Sequence, residues 1–360
     1  MKRIRTAIIG CGKIGHTHAL ALSTLGESKL VAVCDNQLSR AQGFAEQYGV
    51  ARAFDSVSDM LSSLDVEAVT ICTPHPLHEE PCVQAAKAGA HVLIEKPMAS
   101  SLEACDRMLE AAHKHGTKLG IVSQRRLFEP VQRMKAAIDA GKIGTPVLGT
   151  FSMFSWRDQA YYESDPWRGK WATEGGGVLV NQSPHQLDML QWFMGEIDEV
   201  SGYWANLNHP YIEVEDTAMA MIRFKSGGLG NVVTSLSQKP GIYTKVHIHG
   251  SNGASVGVQT DTGATFVAGM SGITLPPLND VWTIPGEEKM LAEFEVEDRQ
   301  RFQEIDATTH YHTLQIQDFL KSIIEDRAPL VTGDEGRIVV EMFTAIYQSN
   351  ELGRPVRFPL

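Results

Sequence analysis

Cysteine, surplus positive charge and long apolar runs are scarce in this sequence, and each shortage excludes a class of protein. The five cysteines are odd in number, none forms a CxxC pair, and none follows Cys105. That usage argues against a disulfide framework and predicts reduced thiols in a cytoplasmic protein. No apolar run reaches the roughly 18 residues that a membrane-spanning helix needs. The start of the chain is basic, but glycines at positions 10 and 12 cut short the apolar run that follows it, so we expect no signal peptide.

The net charge of -11 at pH 7 disfavours partners that require a basic surface. We therefore expect no binding to nucleic acid or to anionic membranes. With 43% hydrophobic and 21% charged residues, the 360-residue chain has the composition of a soluble protein with a real core. Its length suits two domains. Small neutral or phosphate-bearing ligands remain open, because one local basic group is enough to bind them.

A glycine-rich turn follows the first apolar run, at 4–9. It reads GCGKIG, which is G-x-G-x-x-G between a predicted strand and a predicted helix. In that pattern the first glycine makes a tight turn, the second lets the backbone approach a pyrophosphate, and the third lets the helix pack on the strand. The unpaired N–H groups at the start of the helix then face the phosphates. We therefore assign to a dinucleotide the residues Gly10, Gly12, Lys13, Ile14 and Gly15.

Asp35 follows the second apolar strand, at 30–34, and lies twenty residues after Gly15. A ribose-binding acid is expected at that distance. Its carboxylate would accept hydrogen bonds from ribose hydroxyls and repel a 2′-phosphate, and the first arginine after it is Arg40. The sequence therefore favours NAD over NADP. The alternative is that Asp35 is only a turn residue at the strand end.

The alternation of strand and helix continues to about residue 124. Further strands are predicted at 67–72, 91–94 and 118–122, and helices at 37–48, 79–88 and 101–115. Short connections between them indicate a doubly wound, mostly parallel sheet, in which ligands lie beyond the carboxyl ends of the strands. The residues at or just past those ends are predicted to line the cofactor crevice: Thr73, Pro74, His75, His78, Glu95, Lys96 and Gln124.

Lys96 and the histidine pair each allow a second interpretation. Lys96 follows a buried strand and precedes Pro97, which restricts it to extended backbone. We interpret it as functional, although a lysine at an arbitrary position is usually on the surface. His75 and His78 have an i, i+3 spacing that could suit a metal, but no further ligand cluster accompanies them. We predict no metal, and we expect these histidines to line the crevice or to pack at a helix N-terminus.

The pattern changes near residue 125 and predicts a second domain. A helix at 128–140 precedes β-rich segments at 146–156, 218–224, 230–236 and 245–249, and helices at 312–324 and 336–350 close the chain. We predict a Rossmann domain over 1–124 and, over 125–360, a domain with a large, open, mostly antiparallel sheet. The C-terminal segment can pack back on the first domain. One face of an open sheet must be covered, so we expect a homodimer or homotetramer.

An aromatic loop lies within the second half, at 161–171. Tyr161, Trp167 and Arg168 combine aromatic faces with polar groups, a mixture that suits sugar-like ligands. The loop could equally pack on the core or at a contact between subunits.

The segment GGGVLVNQSPHQLD, at 175–188, places three polar groups in an apolar run. Asn181, His185 and Asp188 have i, i+4 and i+7 spacing, which puts them on one face of a helix. A histidine, an amide and a carboxylate on one face could form a proton-transfer site. Alternatively, they could form the solvent-exposed polar face of an amphipathic helix. Pro184 allows either a helix that starts there, with Ser183 as its N-cap, or a longer kinked helix.

These segments together resemble the Gfo/Idh/MocA family, which includes glucose–fructose oxidoreductase and inositol dehydrogenase. The matching pieces cover nearly the whole chain: AIIGCGKIG, TPHPLH, EKP at 95–97, QRR and GKIG at 124–126 and 141–144, GGGVLVNQSPHQLD, and VTGDEGRIVVEMFTAIYQS followed by GRPV. The resemblance implies a Rossmann domain, a second domain on a large open sheet and a nicotinamide cofactor. It also implies oxidation or reduction of a sugar or cyclitol carbon.

The resemblance also implies roles for three residues. Lys96 matches the family lysine that touches substrate and nicotinamide, and His185 matches the acid/base histidine. Asn181 departs from the family, because many inositol-dehydrogenase-like members carry Asp there, and this weakens an assignment to inositol. For Pro184 the family implies the longer helix.

We therefore expect NAD-linked oxidation of a secondary alcohol, with Lys96, His185 and Asn181 as catalytic residues. Asp188 would either orient His185 or make a packing contact. The rival hypotheses are a redox-assisted lyase or glycosidase and a non-catalytic dinucleotide sensor, although a sensor needs neither Lys96 nor His185. The residues predicted to meet the substrate are Lys96, Tyr161, Trp167, Arg168, Asn181, His185 and Asp188.

Overall fold

The computed structural model describes residues 2–260, 265–267, 270–272 and 275–360. The chain forms two compact units. The first comprises Met1–Gln124 with Thr308–Val340, and the second comprises Arg125–Ala307 with Glu341–Leu360.

The first unit is built on a parallel sheet. Its elements within residues 1–124 are β1 (Ile4–Ile9), α1 (Lys13–Thr24), β2 (Ser28–Cys34), α2 (Leu38–Tyr48), β3 (Ala53–Phe54), α3 (Val57–Ser63), β4 (Ala68–Ile71), α4 (Glu79–Lys87), β5 (His91–Ile94), α5 (Leu102–His115) and β6 (Leu119–Ile121). The six strands lie in the order β3-β2-β1-β4-β5-β6, and every pairing is parallel. This confirms the predicted Rossmann sheet.

The strand order reverses direction between β1 and β4, which are neighbours in the sheet. In doubly wound sheets the ligand crevice opens at that point, outside the carboxyl ends of the strands. The strands themselves are apolar because helices cover both faces of such a sheet. All four residues of β4 are buried, for example.

The remainder of the chain carries a second sheet. Its elements are α6 (Glu129–Asp139), β7 (Pro146–Phe154), α7 (Gln159–Glu163), α8 (Trp171–Glu174), α9 (Pro184–Met194), β8 (Ile197–Ala205), β9 (Thr217–Phe224), β10 (Leu229–Ser235), β11 (Tyr243–Gly250), β12 (Ser255–Gln259), β13 (Thr265–Val267), β14 (Met270–Gly272), β15 (Leu278–Trp282), α10 (Met290–Glu304), α11 (Ala307–Ile324), α12 (Gly333–Leu352) and β16 (Val356–Arg357). In the described residues eight of these strands form one sheet, in the order β15-β12-β11-β7-β10-β9-β8-β16. Only β7 and β10 pair in parallel within it. The predicted open, mostly antiparallel sheet is confirmed.

Helix α9 covers one face of this sheet. It approaches closely because β7 has a glycine at 149, where a Cβ would lie 2.7 Å from Leu190 and 2.8 Å from Met194. Strand β9 alternates strictly, with its even-numbered residues buried and Met219, Met221 and Arg223 exposed. The face opposite α9 is therefore exposed along β9 in the described residues.

Two general properties follow from the described residues. No helix among them is long and apolar enough to cross a membrane. All five cysteines are free and buried.

Candidate active site

The glycine-rich turn between β1 and α1 has the conformation that its motif requires. Gly10 has φ +100°, and a Cβ there would lie 2.7 Å from the carbonyl carbon of Cys72. A Cβ at Gly15 would lie 2.4 Å from the Gly10 carbonyl oxygen, whereas one at Gly12 would meet no atom within 4 Å. The first and third glycines thus permit the turn and the packing of α1, and Gly12 borders open space.

The start of α1 is suited to an anion. Lys13 and Ile14 form its first turn, no side chain caps its N-terminus, and no acidic residue lies in that turn. The N–H groups and the helix dipole at such an end favour phosphate.

Asp35 lies buried just past β2, where both of its carboxylate oxygens are held. Oδ2 accepts the Cys11 N–H at 3.0 Å and Oδ1 accepts the Gln37 N–H at 3.0 Å. Arg40 Nη1 also donates to the two oxygens, at 3.1 and 3.3 Å. A cation therefore stands beside the carboxylate that we assign to ribose, and the preference for NAD over NADP stays a prediction.

The loop after β4 is tied down by His78. Its two ring nitrogens face the Thr73 carbonyl oxygen at 2.9 Å and the Met98 carbonyl oxygen at 3.1 Å. The Thr73 hydroxyl donates to the Leu77 carbonyl at 3.3 Å. Pro74 precedes a short 3-10 turn that begins at His75, a buried residue. His78 therefore holds the loop, and the described residues contain no cluster of metal-ligating side chains.

Glu95 and Lys96 follow β5, and Gln124 follows β6. The Glu95 carboxylate accepts a hydrogen bond from His18 Nε2 at 2.9 Å and one from the Lys96 backbone N–H at 3.3 Å. Sequence reasoning missed this role of His18. The Gln124 Oε1 atom is buried and has no hydrogen-bond partner among the described residues, so a ligand with an N–H donor would satisfy it.

The segment that carries Asn181 and His185 begins with one turn of π-helix, Val178–Gln182, which contains Asn181. Helix α9 then starts at Pro184, with His185 as its second residue. The Ser183 hydroxyl donates to the Val178 carbonyl at 2.8 Å and does not cap α9. Of the two alternatives, the structure has the helix that starts at Pro184, but Ser183 does not cap it because its hydroxyl closes the preceding turn. The longer α-helix that the resemblance implied is wrong, since Val178–Gln182 is a π-helical turn.

Asp188, one turn further along α9, is bound by Arg126. The guanidinium donates through Nε at 2.8 Å and through Nη2 at 2.6 Å, and both side chains are almost fully buried. The same guanidinium lies 4.7 Å from the centre of the Trp192 ring. A bidentate pair of this kind fixes the orientation of α9, and sequence reasoning had not identified Arg126.

Tyr161 is the centre of a polar network beside this segment. Its hydroxyl oxygen is approached by Arg168 Nη1 at 2.5 Å, Gln182 Nε2 at 2.9 Å and Asn181 Nδ2 at 3.2 Å. Asn181 Nδ2 also donates to the Glu174 carboxylate. Burial raises the pKa of Tyr161, so this hydroxyl stays protonated.

Arg168 also connects the aromatic side chains of this loop. Its guanidinium lies 4.3 Å from the Tyr161 ring centre and 4.4 Å from that of Trp167. It forms an ion pair with Asp165 at 3.2 Å. The structure thus brings together four residues predicted to meet substrate: Tyr161, Trp167, Arg168 and Asn181.

Glu215 anchors the backbone that leads to Asn181. Its carboxylate accepts the Gly177 N–H at 2.8 Å, the Leu179 N–H at 2.9 Å and the Tyr347 hydroxyl at 2.8 Å. A Cβ at position 177 would lie 1.9 Å from the Glu215 carbonyl oxygen, so only glycine fits there. Burial raises the pKa of Glu215 to about 7, against the effect of these donors.

Two family models match the chain. The model described as "Oxidoreductase family, NAD-binding Rossmann fold" matches residues 4–122, and "GFO/IDH/MocA C-terminal domain" matches residues 131–256. The chain belongs to the Gfo/Idh/MocA family. This Gfo/Idh/MocA protein is an NAD-binding oxidoreductase, as the resemblance implied.

Several relatives of this Gfo/Idh/MocA protein have named activities. It is 31% identical to myo-inositol 2-dehydrogenase of Thermotoga maritima, over 69% of this chain and 74% of that protein. It is 26% identical to D-glucoside 3-dehydrogenase of Escherichia coli, over 98% of this chain and 97% of that protein. The WlbA dehydrogenase of Bordetella pertussis, solved with NADH and UDP-GlcNAcA, shares 29% identity and superimposes with a TM-score of 0.84 over 100% of both chains.

The first unit fits the NAD that the family binds. Gly12 leaves room for a close approach of ligand and the α1 N-terminus is uncapped. A carboxylate ends β2, and a buried amide oxygen at Gln124 is unsatisfied among the described residues. We assign the phosphates to the glycine turn and the ribose to Asp35.

Proposed function

We propose that this protein oxidises a secondary alcohol of a sugar, glycoside or cyclitol with NAD. The observation that carries the proposal is the position of His185. It is buried in the first turn of α9, four residues after Asn181, and Asn181 belongs to the polar and aromatic network of Tyr161 and Arg168. Such a network suits a ligand with many hydroxyl groups. The named inositol and glucoside dehydrogenases among the relatives support the same class of substrate.

In this mechanism, NAD, when bound, accepts hydride from the carbinol carbon. His185 takes the proton of the hydroxyl, a task for which an imidazole is suited near neutral pH. Lys96 donates a hydrogen bond to the same oxygen and stabilises the negative charge that develops on it. Asn181 positions a neighbouring hydroxyl in place of the acid found in many inositol-dehydrogenase-like proteins.

The test is a panel of inositols, glycosides and free sugars with NAD or NADP, followed as absorbance of the reduced cofactor. We expect at least one compound to reduce NAD. With that compound, Lys96→Ala and His185→Ala should each lower kcat about 10²- to 10⁴-fold, the usual contribution of a proton-transfer group. Binding of NADH to His185→Ala, measured by fluorescence, should be unchanged.

Three results would contradict parts of the proposal. Wild-type turnover in both folded variants would exclude the mechanism. A clear preference for NADP would exclude the role of Asp35. Turnover without accumulation of NADH in solution would favour a redox-assisted lyase.

We also propose that residues 1–124 bind cofactor and that 125–360 bind substrate and mediate self-association. The solvent face of the eight-stranded sheet supports the latter. Tyr203, Met219 and Met221 are 72%, 53% and 69% exposed, and the strand register places them side by side. An apolar patch of this kind marks a contact surface, and a homodimer or homotetramer would cover it. Five free, buried cysteines support a cytoplasmic location.

A further inference from the structure

Glu95 lies between two histidines that come from distant parts of the chain. His18 on α1 donates from Nε2 to Glu95 Oε1 at 2.9 Å and is 0% exposed. His312 on α11 places its Nε2 atom 3.7 Å from the same oxygen. The two rings have an edge-on arrangement with centres 6.2 Å apart. The remaining carboxylate oxygen, Oε2, accepts the backbone N–H of Lys96 at 3.3 Å.

The first histidine and the carboxylate form a buried ion pair. Burial opposes protonation of His18, yet Cys72 and Glu95 raise its pKa to about 10. Burial likewise opposes ionisation of Glu95, yet the hydrogen bond from His18 and the charge of His18 lower its pKa to about 2. The bond of 2.9 Å between them therefore favours a cationic His18 and an anionic Glu95.

The second histidine is neutral. Burial lowers the pKa of His312 to about 4. Its Nδ1 atom lies 3.2 Å from the Thr308 carbonyl oxygen and donates to it. Nε2 is then the unprotonated nitrogen, so His312 packs against Glu95 without neutralising it.

A buried ion pair contributes little to the free energy of folding, because desolvation offsets most of the attraction between the charges. Its position suggests another use. The carboxylate holds the Lys96 backbone directly, and the Lys96 charge is among those that lower the pKa of Glu95. A nearby carboxylate favours the ammonium form of a lysine. The other titratable groups that face this pair within the first unit are Cys72, His78, His312 and Lys96.

We propose that Glu95, held by His18, is the positioning residue of Lys96: it fixes the Lys96 backbone and keeps the Lys96 side chain charged. The inference rests on the proposed function, in which Lys96 must be an ammonium group to donate to the reacting oxygen. It goes beyond that function because it assigns a task to His18, Glu95 and His312.

The test measures the pKa of Lys96 without any substrate. Lysines are reductively methylated with ¹³C-formaldehyde and titrated by NMR, and Lys96→Arg identifies the Lys96 signal. In Glu95→Gln we expect the Lys96 pKa to fall by about one unit, the lower end of the effect of a neighbouring opposite charge. Glu95→Asp, which keeps the charge, should leave it near the wild-type value. Glu67→Gln, which breaks an ion pair with Arg5 in the same unit, should have no effect.

The same variants distinguish the effect of Glu95 on the position of Lys96 from its effect on the charge of Lys96, when kcat is measured. With the compound found in the substrate panel, Glu95→Asp should lower kcat about tenfold with little change in KM, because the shorter side chain withdraws from the Lys96 backbone. Glu95→Gln should in addition move the alkaline limb of the kcat profile to lower pH. Equal Lys96 pKa values in Glu95→Gln and Glu67→Gln would overturn the proposal.

One measurement needs no substitution at Glu95. In wild-type protein labelled with ¹⁵N-histidine at pH 8, His18 should carry protons on both nitrogens and His312 on one. A neutral His18 would overturn the proposal even if Glu95→Gln fails to fold. Failure of the proposed function is a separate result, since it would appear as full activity in Lys96→Ala.

Discussion

His312 makes the first unit sensitive to acid. Burial lowers its pKa from 6.5 to about 4. Between these two pH values His312 is therefore protonated in the unfolded chain and neutral in the folded chain. The free energy of unfolding must therefore fall as the pH drops from 6.5 towards 4.

This effect can be measured with His312→Gln. Between pH 7.5 and pH 5 we expect wild-type protein to lose about 2 kcal/mol more stability than the variant, at 1.36 kcal/mol per pH unit below 6.5. Urea unfolding at the two pH values gives the comparison. His113→Gln, an exposed position on α5, is the matched control. An equal acid loss in wild type and His312→Gln would show that His312 does not remain neutral.

The histidines of α1 show where sequence reasoning stops at the level of single residues. Sequence patterns do not distinguish His16 and His18 from ordinary helix residues. Because they are two positions apart on a helix, their side chains point in nearly opposite directions. In the structure His16 Nδ1 forms a hydrogen bond with the Tyr48 hydroxyl at 2.8 Å, and His18 forms one with the Glu95 carboxylate. The partner of His18 is 77 residues away in sequence, so only the fold reveals it. The strand-end positions of Asp35 and Lys96 were predictable because the motif and the alternation determine them locally.

The π-helical turn before α9 is stabilised by hydrogen bonds to a side chain from another part of the chain. Its backbone N–H groups at Gly177 and Leu179 are satisfied by the Glu215 carboxylate, which also accepts the Tyr347 hydroxyl. Buried donors left without acceptors are costly. The position of Asn181 therefore depends on a side chain 34 residues later in the chain.

Glu215→Gln tests this dependence. The amide nitrogen would face at least one of the N–H donors, and we expect a loss of about 1–3 kcal/mol in stability together with reduced kcat. Thermal unfolding and the dehydrogenase assay measure the two effects. Glu196→Gln, which removes an exposed ion pair with Lys225, should change stability by less than about 0.5 kcal/mol. Similar Tm values for the two variants would contradict the anchoring role.

Elements with a continuous apolar face were predictable within a few residues, whereas elements rich in polar residues or interrupted by them were not. β5 and α5 lie close to their predicted bounds because their buried faces are continuous. Helix α10, Met290–Glu304, was missed because it buries only Phe294 and Asp298 and most of its other residues are charged or polar. Strands β12 and β15 were missed because a glycine interrupts the apolar residues of the first, and Asn279 and Asp280 interrupt those of the second.

The solvent face of the second sheet determines the expected assembly of the whole molecule. The opposite face is covered by α9 at Gly149, whereas Tyr203, Met219 and Met221 are exposed on the solvent face. We expect wild-type protein to be a dimer or tetramer by light scattering. Met221→Glu should shift it to a smaller species, because a charge in an apolar interface must be desolvated.

Leu207→Glu provides the matched control for this experiment. Leu207 is 72% exposed, as much as Tyr203, but it lies in the loop after β8 and not on the sheet. A monomeric wild-type protein, or an unchanged mass in Met221→Glu, would show that the sheet face is not the contact.

The buried thiols have a practical consequence for chemical labelling. Burial raises the pKa of Cys11, Cys34, Cys82 and Cys105 to about 12, and Cys72 is buried as well. Thiol reagents attack the thiolate, which the four cysteines of raised pKa scarcely form. We therefore expect the native cysteines of the folded protein to react slowly with thiol reagents. One cysteine introduced at the surface could then carry a fluorophore or spin label without removal of the native five.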